Sequence, residues 1–232
     1  MAGLASRLAF GVAFLSLAAA STSLSTADGT PGATDWPSTN YDQSANRYSP
    51  LTQITAQNVS TLQQVWSVHL KPDGFAGRLR EDEASPIVIG NTMYLASPYG
   101  AVIALDATTG AEKWRFQLPN NEMPSKRGVA YWPGGGRLPL PPSILFGTLS
   151  GGLYSIKASD GTFNAGFGEN GIVNLKTPEV MQTGANAAYS LLSSPTIYKD
   201  LIITGAGTGE GPGGSNGGAG VDVPYRAGGV QR

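Results

Sequence analysis

Met93-Tyr-Leu-Ala-Ser-Pro-Tyr-Gly-Ala-Val-Ile-Ala-Leu-Asp-Ala-Thr-Thr-Gly110 aligns without gaps to Ile144-Leu-Phe-Gly-Thr-Leu-Ser-Gly-Gly-Leu-Tyr-Ser-Ile-Lys-Ala-Ser-Asp-Gly161, an offset of 51 residues. Each copy reads as an apolar strand, a glycine-containing turn, a second apolar strand, and an Ala-(Thr/Ser)-(Thr/Asp)-Gly corner. A period near 50 built from strand–turn–strand units points to a β-propeller, in which each repeat is one four-stranded blade. The glycine that ends each corner supplies the positive φ a tight turn needs. Beyond the first corner, Glu112-Lys-Trp-Arg-Phe116 reads as the next strand, with Trp114 set to wedge between neighbouring blades.

Working outward, Ser194-Pro195 follows Ser85-Pro86 by 109 residues, about twice the first offset, and leads into Leu201-Ile-Ile-Thr-Gly205. Upstream, Gln64-Val-Trp-Ser-Val-His-Leu70 alternates with period two and predicts a further strand, with His69 as a structural residue. The expected fold class is therefore all-β, a β-propeller of which three to four blades are present and the last is incomplete. A β-sandwich is the alternative architecture, and the repeat argues against it.

Composition agrees. The chain of 232 residues has 32 glycines and 16 prolines, and only 13% of its residues are charged, against a usual ~25%. Excess glycine and proline with few charges suits many short strands joined by turns. Past residue 30 no segment keeps a helical apolar stripe for three turns. A net charge of −1 offers no basic field for phosphate backbones, so no nucleic-acid partner is expected. The absence of cysteine removes disulfides, thiolate metal sites, Fe–S clusters and covalent haem attachment.

Arg7 precedes Leu8 to Ala20, an uncharged, mostly apolar run of 13 residues followed by Ser21-Thr22-Ser23. A membrane span needs ~20 apolar residues. Ala18-Ala19-Ala20 matches a small-residue cleavage site, so the expectation is a cleavable export signal, periplasmic localisation and no transmembrane span after cleavage. The expected organisation is signal peptide and spacer over residues 1–27, partial propeller over 28–220, and a divergent tail over 221–232.

Asp35-Trp36-Pro37, Asn46-Arg-Tyr-Ser-Pro-Leu51, Gln53-Ile54 and Asn58-Val59 leading to Val65-Trp66 resemble the opening of PQQ-dependent (quinoprotein) alcohol and glucose dehydrogenases. So do Ala104-Leu-Asp-Ala-Thr-Thr-Gly110 with Trp114, that family's tryptophan-docking repeat, and Arg127-Gly-Val-Ala-Tyr-Trp132. Gly166-Phe-Gly168, Asn170-Gly171 and Val173-Asn-Leu175 are similar to the glucose-dehydrogenase branch. The resemblance implies an eight-bladed ring, the cofactor pyrroloquinoline quinone (PQQ) and a calcium ion. It further implies a sugar or alcohol substrate and a quinone or cytochrome as electron acceptor.

The resemblance also assigns residues. Arg127 matches the arginine that pairs with the quinone, and a guanidinium suits bidentate carboxylate recognition; the alternative is a solvated loop arginine. Glu83 matches a glutamate that contacts the cofactor, and otherwise belongs to the acidic surface run Glu81-Asp82-Glu83. Ser193 and Ser194 fall where the family places a Thr-Ser pair facing the cofactor's carboxylates; a shift of one residue would put Leu192 at the threonine position. Glu210, in Gly207-Thr208-Gly209-Glu210, matches the calcium-ligating glutamate, with Gly207 and Thr208 lining the cofactor. The alternative is an exposed acid on a glycine-rich loop.

Departures are equally legible. The adjacent cysteines that many alcohol-oxidising members carry are replaced by Asn121-Glu122, and a histidine of some sugar-oxidising relatives by Tyr99. Eight repeats need about 400 residues, so the expectation is a truncated portion with its catalytic base beyond residue 232 and no activity alone. A non-catalytic PQQ-like propeller acting as an envelope scaffold is the second functional reading.

Overall fold

The two copies of the repeat fold as two four-stranded antiparallel sheets. In the first, β1 (Ile87–Ile89), β2 (Thr92–Ser97), β3 (Ala101–Asp106) and β4 (Glu112–Gln117) lie in chain order. In the second, β5 (Ala130–Trp132), β6 (Ser143–Gly147), β7 (Gly152–Lys157) and β8 (Ile172–Asn174) do the same. A third sheet joins β9 (Thr196–Tyr198), β10 (Leu201–Ile203) and β11 (Tyr225–Arg226). The computed structural model describes residues 32, 34–135, 140–181, 189–207 and 225–226. The expected leader, Thr208, Glu210 and the glycine-rich stretch to Gly220 lie outside the described residues. Of the divergent tail, Tyr225 and Arg226 pair with β10.

The two corners are built alike. Gly110 N–H donates to Asp106 O at 2.8 Å, and Asp106 N–H to Ala111 O at 2.8 Å; Gly161 and Lys157 repeat both bonds at 2.9 and 2.7 Å. Gly110 and Gly161 have φ of 74° and 71°. Each glycine receives a tryptophan from the stretch of chain that precedes its own sheet, Trp66 for Gly110 and Trp114 of β4 for Gly161. A Cβ at Gly161 would stand 2.6 Å from the Trp114 ring, and one at Gly110 2.7 Å from the Trp66 ring. The indole N–H of Trp114 donates to Ala158 O at 3.1 Å, and that of Trp66 to Ala107 O at 3.3 Å. The tryptophan-docking reading of the sequence is thus seen as contact geometry.

Alternation along each strand explains why the strands read as continuous apolar runs. Tyr94, Ala96, Val102 and Ala104 turn toward the second sheet and pack with Ile144, Phe146, Tyr154 and Ile156. Leu95, Ala101, Ile103 and Leu105 turn the opposite way. In the second sheet Leu145 and Leu153 face the third, meeting Leu191 and Ile202. Sheets covered on both faces have no polar side to alternate with. A two-layer sandwich would leave each sheet one solvated face, so the radial stacking of blades is what this pattern requires.

One expectation needs correction. Gln64–Leu70 is not a strand, because no neighbouring chain pairs with it among the described residues. Its period-two pattern is nevertheless used: Trp66, Val68 and Leu70 pack on the open face of the first sheet while Val65 is 84% exposed. His69 is exposed, so its structural role is no more than a solvated position on this segment. Among the described residues no helix is long and apolar enough to cross a membrane.

Candidate functional site

Every blade is approached at the same end. Antiparallel pairing puts the start of β1, the end of β2 and the start of β3 on one face, since Ile87 lies opposite Tyr94 and Ser97 opposite Ala101. The starts of β5 and β9 and the turns Thr148–Gly151 and Ser97–Gly100 share that face. The first strands of successive sheets also come closest. Ser85, just before β1, bridges to Gly128, just before β5, in parallel, and β5 packs on β9. The sheets therefore splay outward from their first strands, and the lead-in segments of those strands ring a common mouth.

The candidate residues sit on these lead-ins. Glu83 stands four residues before β1, Arg127 three before β5 and Ser193 three before β9. The Ser125–Gly128 turn that presents Arg127 is rigidly held. Buried Ser125 donates its amide to Gly147 O at 2.7 Å and its hydroxyl to Gly128 O at 2.7 Å. Gly128 has a φ of 104°, and a Cβ there would meet Ser85 O at 2.8 Å, so only glycine lets the two lead-ins touch. Arg127 itself is exposed and forms no ion pair with a described residue. Its guanidinium is free for a ligand carboxylate.

The third lead-in is tied to the second blade by Leu191 N–H donating to Thr148 O at 3.0 Å. Ser190 and Gly207 exchange amide–carbonyl bonds of 3.1 and 2.8 Å, which sets Gly207 beside the lead-in carrying Ser193 and Ser194. Ser193 is exposed and Ser194 half-buried. The structure thus brings the segment carrying Glu83 beside the one carrying Arg127, and Gly207 beside the segment that leads to Ser193 and Ser194, on one face. Thr208 and Glu210 lie outside the described residues, and among those described no group of three His, Cys, Asp or Glu could hold a metal ion.

A cleft of about 520 Å³ opens beside the first two lead-ins, lined among others by Arg78, Arg80, Glu81, Asp82, Met123 and Lys126. Shortly before Met123 in the chain, Asn120 and Asn121 both adopt left-handed backbone, with φ of 54° and 56°. Glu122 next to them accepts the Tyr154 hydroxyl at 2.9 Å. Burial, and then the hydrogen bond and charge of Glu122, hold the Tyr154 phenol well above its ordinary value, so it stays a donor. Sequence reasoning missed Arg80, Met123 and Ser125. The one available signal was Arg78-Leu79-Arg80, two cations two residues apart in a chain poor in charge.

Residues 36–221 match the family model described as the β-propeller domain of PQQ-dependent glucose/ethanol/alcohol dehydrogenases. The chain is 32% identical over 207 residues to quinoprotein glucose dehydrogenase A of Acinetobacter calcoaceticus, covering 79% of this chain and 25% of that one. It is 30% identical over 191 residues to the dehydrogenase subunit of the quinone-dependent alcohol dehydrogenase of Gluconobacter oxydans (strain 621H), covering 78% and 22%. The crystal structure of the quinohemoprotein alcohol dehydrogenase of Comamonas testosteroni superposes with a TM-score of 0.64 at 28% identity, covering 88% of this chain and 26% of that one. The chain spans about a quarter of the length of the curated relatives it matches. With its docking tryptophans, radially stacked blades and matched span, the chain belongs to the β-propeller family of PQQ-dependent glucose, ethanol and alcohol dehydrogenases.

Proposed function

We propose that this chain forms the first part of the cofactor mouth of a periplasmic PQQ-dependent dehydrogenase that oxidises sugars or alcohols and passes electrons to a quinone or cytochrome. The observation that carries the reading is the exposed Arg127, without an ion pair to a described residue, on a locked turn whose segment is bridged to the one carrying Glu83 and shares a face with Ser193 and Ser194. PQQ is a planar quinone with three carboxylates, and when bound it supplies the hydride acceptor. The donor set fits its anionic rim: a guanidinium for one carboxylate, and two serine hydroxyls on the third lead-in for another. Glu83 would accept a hydrogen bond from the same ligand. Glu210 is the proposed calcium ligand; its loop lies outside the described residues, and calcium rests on the family alone.

The backbone around Arg127 contributes as much as its charge. Because Ser125 and Gly128 fix the turn, the Arg127 backbone is held at the mouth before any ligand arrives, which leaves only the side chain to be ordered on binding. The described residues form two four-stranded sheets and a third of three strands, and on this reading they bind the cofactor without turning over substrate.

Fluorescence titration of the full chain with PQQ and calcium tests the reading. Saturable quenching is expected, weakened at least about tenfold by Arg127→Ala, the loss of a charge-assisted hydrogen-bond pair. Equal quenching of both proteins would remove Arg127 from the site. Reduction of an artificial dye with glucose or ethanol by the purified chain would show that the part described here is catalytically sufficient.

A further inference from the structure

Arg80 belongs to none of the assigned site positions, yet it joins three separate pieces of the mouth. Its Nη1 donates to Pro98 O at 3.0 Å, in the β2–β3 turn, and to Met123 Sδ at 3.0 Å, on the lead-in of the second blade. The guanidinium carbon lies 5.5 Å from the Phe75 ring centroid and 5.8 Å from that of Tyr99. Those two rings meet edge-on at 5.0 Å, and Arg80 N–H donates to the Tyr99 hydroxyl at 3.4 Å. Cation–aromatic contacts at such exposed sites are individually weak. Here one planar cation makes two of them together with two side-chain hydrogen bonds.

The position of this cluster matters more than its strength. The Arg80–Met123 contact joins residues 43 apart in sequence, and the Ser85–Gly128 bridge also joins residues 43 apart. Residues 80–85 and the lead-in 123–128, which turns at Ser125–Gly128, are thus tied at both ends, by a side-chain contact at one and a backbone bridge at the other. Between the ties lie Glu83 and Arg127. With one tie gone, the segment carrying Glu83 would be held at its far end, by the Ser85 bridge and by Ala84 packing on the core between the first two sheets. Nearer Arg80 the remaining bond is the local one from Ala84 N–H to Asp82 Oδ1 at 2.9 Å.

We infer that Arg80 is a positioning residue: its guanidinium clamps the 75–82 segment to the lead-in of the second blade and so sets the relative placement of the segments that present Glu83 and Arg127 to a ligand. The inference rests on the proposed cofactor mouth for its functional meaning, but the clamp has its own readout. Hydrogen exchange of the full chain is compared for the wild type, Arg80→Ala and the charge-neutral Tyr99→Leu. Both variants should speed exchange at least about tenfold in residues 78–84 and 123–128, leaving β2, β3, β6 and β7 unchanged. PQQ affinity, read by fluorescence, should fall about tenfold in each. The double variant should lose little more, because the two residues act as one unit. Arg80→Lys, which keeps the charge without the planar fork, should recover only part of the affinity.

Unchanged exchange in both single variants overturns the inference. So does full recovery by Arg80→Lys, since the residue would then act by charge alone. If the wild type shows no PQQ quenching, the cofactor reading fails, and the exchange data still decide the clamp. Arg80 is exposed, so neither of its substitutions removes a core contact; should Tyr99→Leu unfold, Phe75→Leu breaks the same stack from the other side.

Discussion

Replacing Gly161 by alanine is the most direct probe of how the blades are joined. Gly161 has a φ of 71°, and an added Cβ would meet Trp114 Cε3 at 2.6 Å, Cδ2 at 2.9 Å and Cζ3 at 3.1 Å. Two costs add. The left-handed backbone disfavours alanine by about 1–2 kcal/mol, and displacing a packed indole costs about 1–3 kcal/mol by overpacking. The sum, about 2–5 kcal/mol, is a large share of a domain stability of about 5–15 kcal/mol. Gly90 is the control: its φ is 55°, but nothing stands within 4 Å of its added Cβ, so only the backbone cost applies. Gly110→Ala should fall between the two. Its Cβ would meet the Trp66 ring at 2.7 Å, yet Trp66 rides on a segment with no strand partner that can withdraw. Urea unfolding followed by tryptophan fluorescence gives the three values. The order Gly90 < Gly110 < Gly161 is expected, with the extremes at least about 1 kcal/mol apart. A Gly161→Ala protein no less stable than Gly90→Ala would refute the claim that Trp114 docking locks the second blade to the first.

The segment before the first blade can be tested by face. Val68→Lys should cost about 1–2 kcal/mol because Val68 packs on the first sheet, while Val65→Lys, at an 84% exposed position, should stay within about 0.5 kcal/mol in the same urea assay. Asp160 supplies a pH test. The Thr162 hydroxyl, then the Thr162 amide, hold its carboxyl below the ordinary aspartate range. A folded-state pKa lowered in this way contributes stability that is complete above the unfolded value of about 3.9 and disappears as pH falls through the folded value. Wild-type unfolding midpoints should therefore drop more steeply below pH 4 than those of Asp160→Asn. Parallel profiles for the two proteins would contradict this.

Most of the blade architecture was legible because it is local. A corner such as Ala107-Thr-Thr-Gly110 needs left-handed backbone within one turn, and the strands on either side need apolar residues on both faces. Gln64–Leu70 shows where that reading stops. Its alternation is a property of the segment, but strand pairing belongs to whatever chain lies alongside, and none of the described residues does. Arg127 and Glu83 could be named by resemblance, whereas Arg80 could not. An exposed arginine carries no sequence mark of the carbonyl, the thioether and the two rings that collect around it.

Taken alone, the amino-acid order determined the repeat, its 51-residue offset and the glycine corners, since these show as self-similarity along the chain or as turn chemistry within one corner, and the docking tryptophans were legible because they recur with that repeat. Only the tertiary structure decided that the lead-ins of three blades share one face and that residues 80–85 and 123–128 are tied at both ends with Glu83 and Arg127 between the ties. The physical reason is that these ties are a guanidinium against a sulfur and a Cβ-free glycine against a backbone carbonyl, each meeting across a gap of 43 residues outside the repeat that the sequence displays.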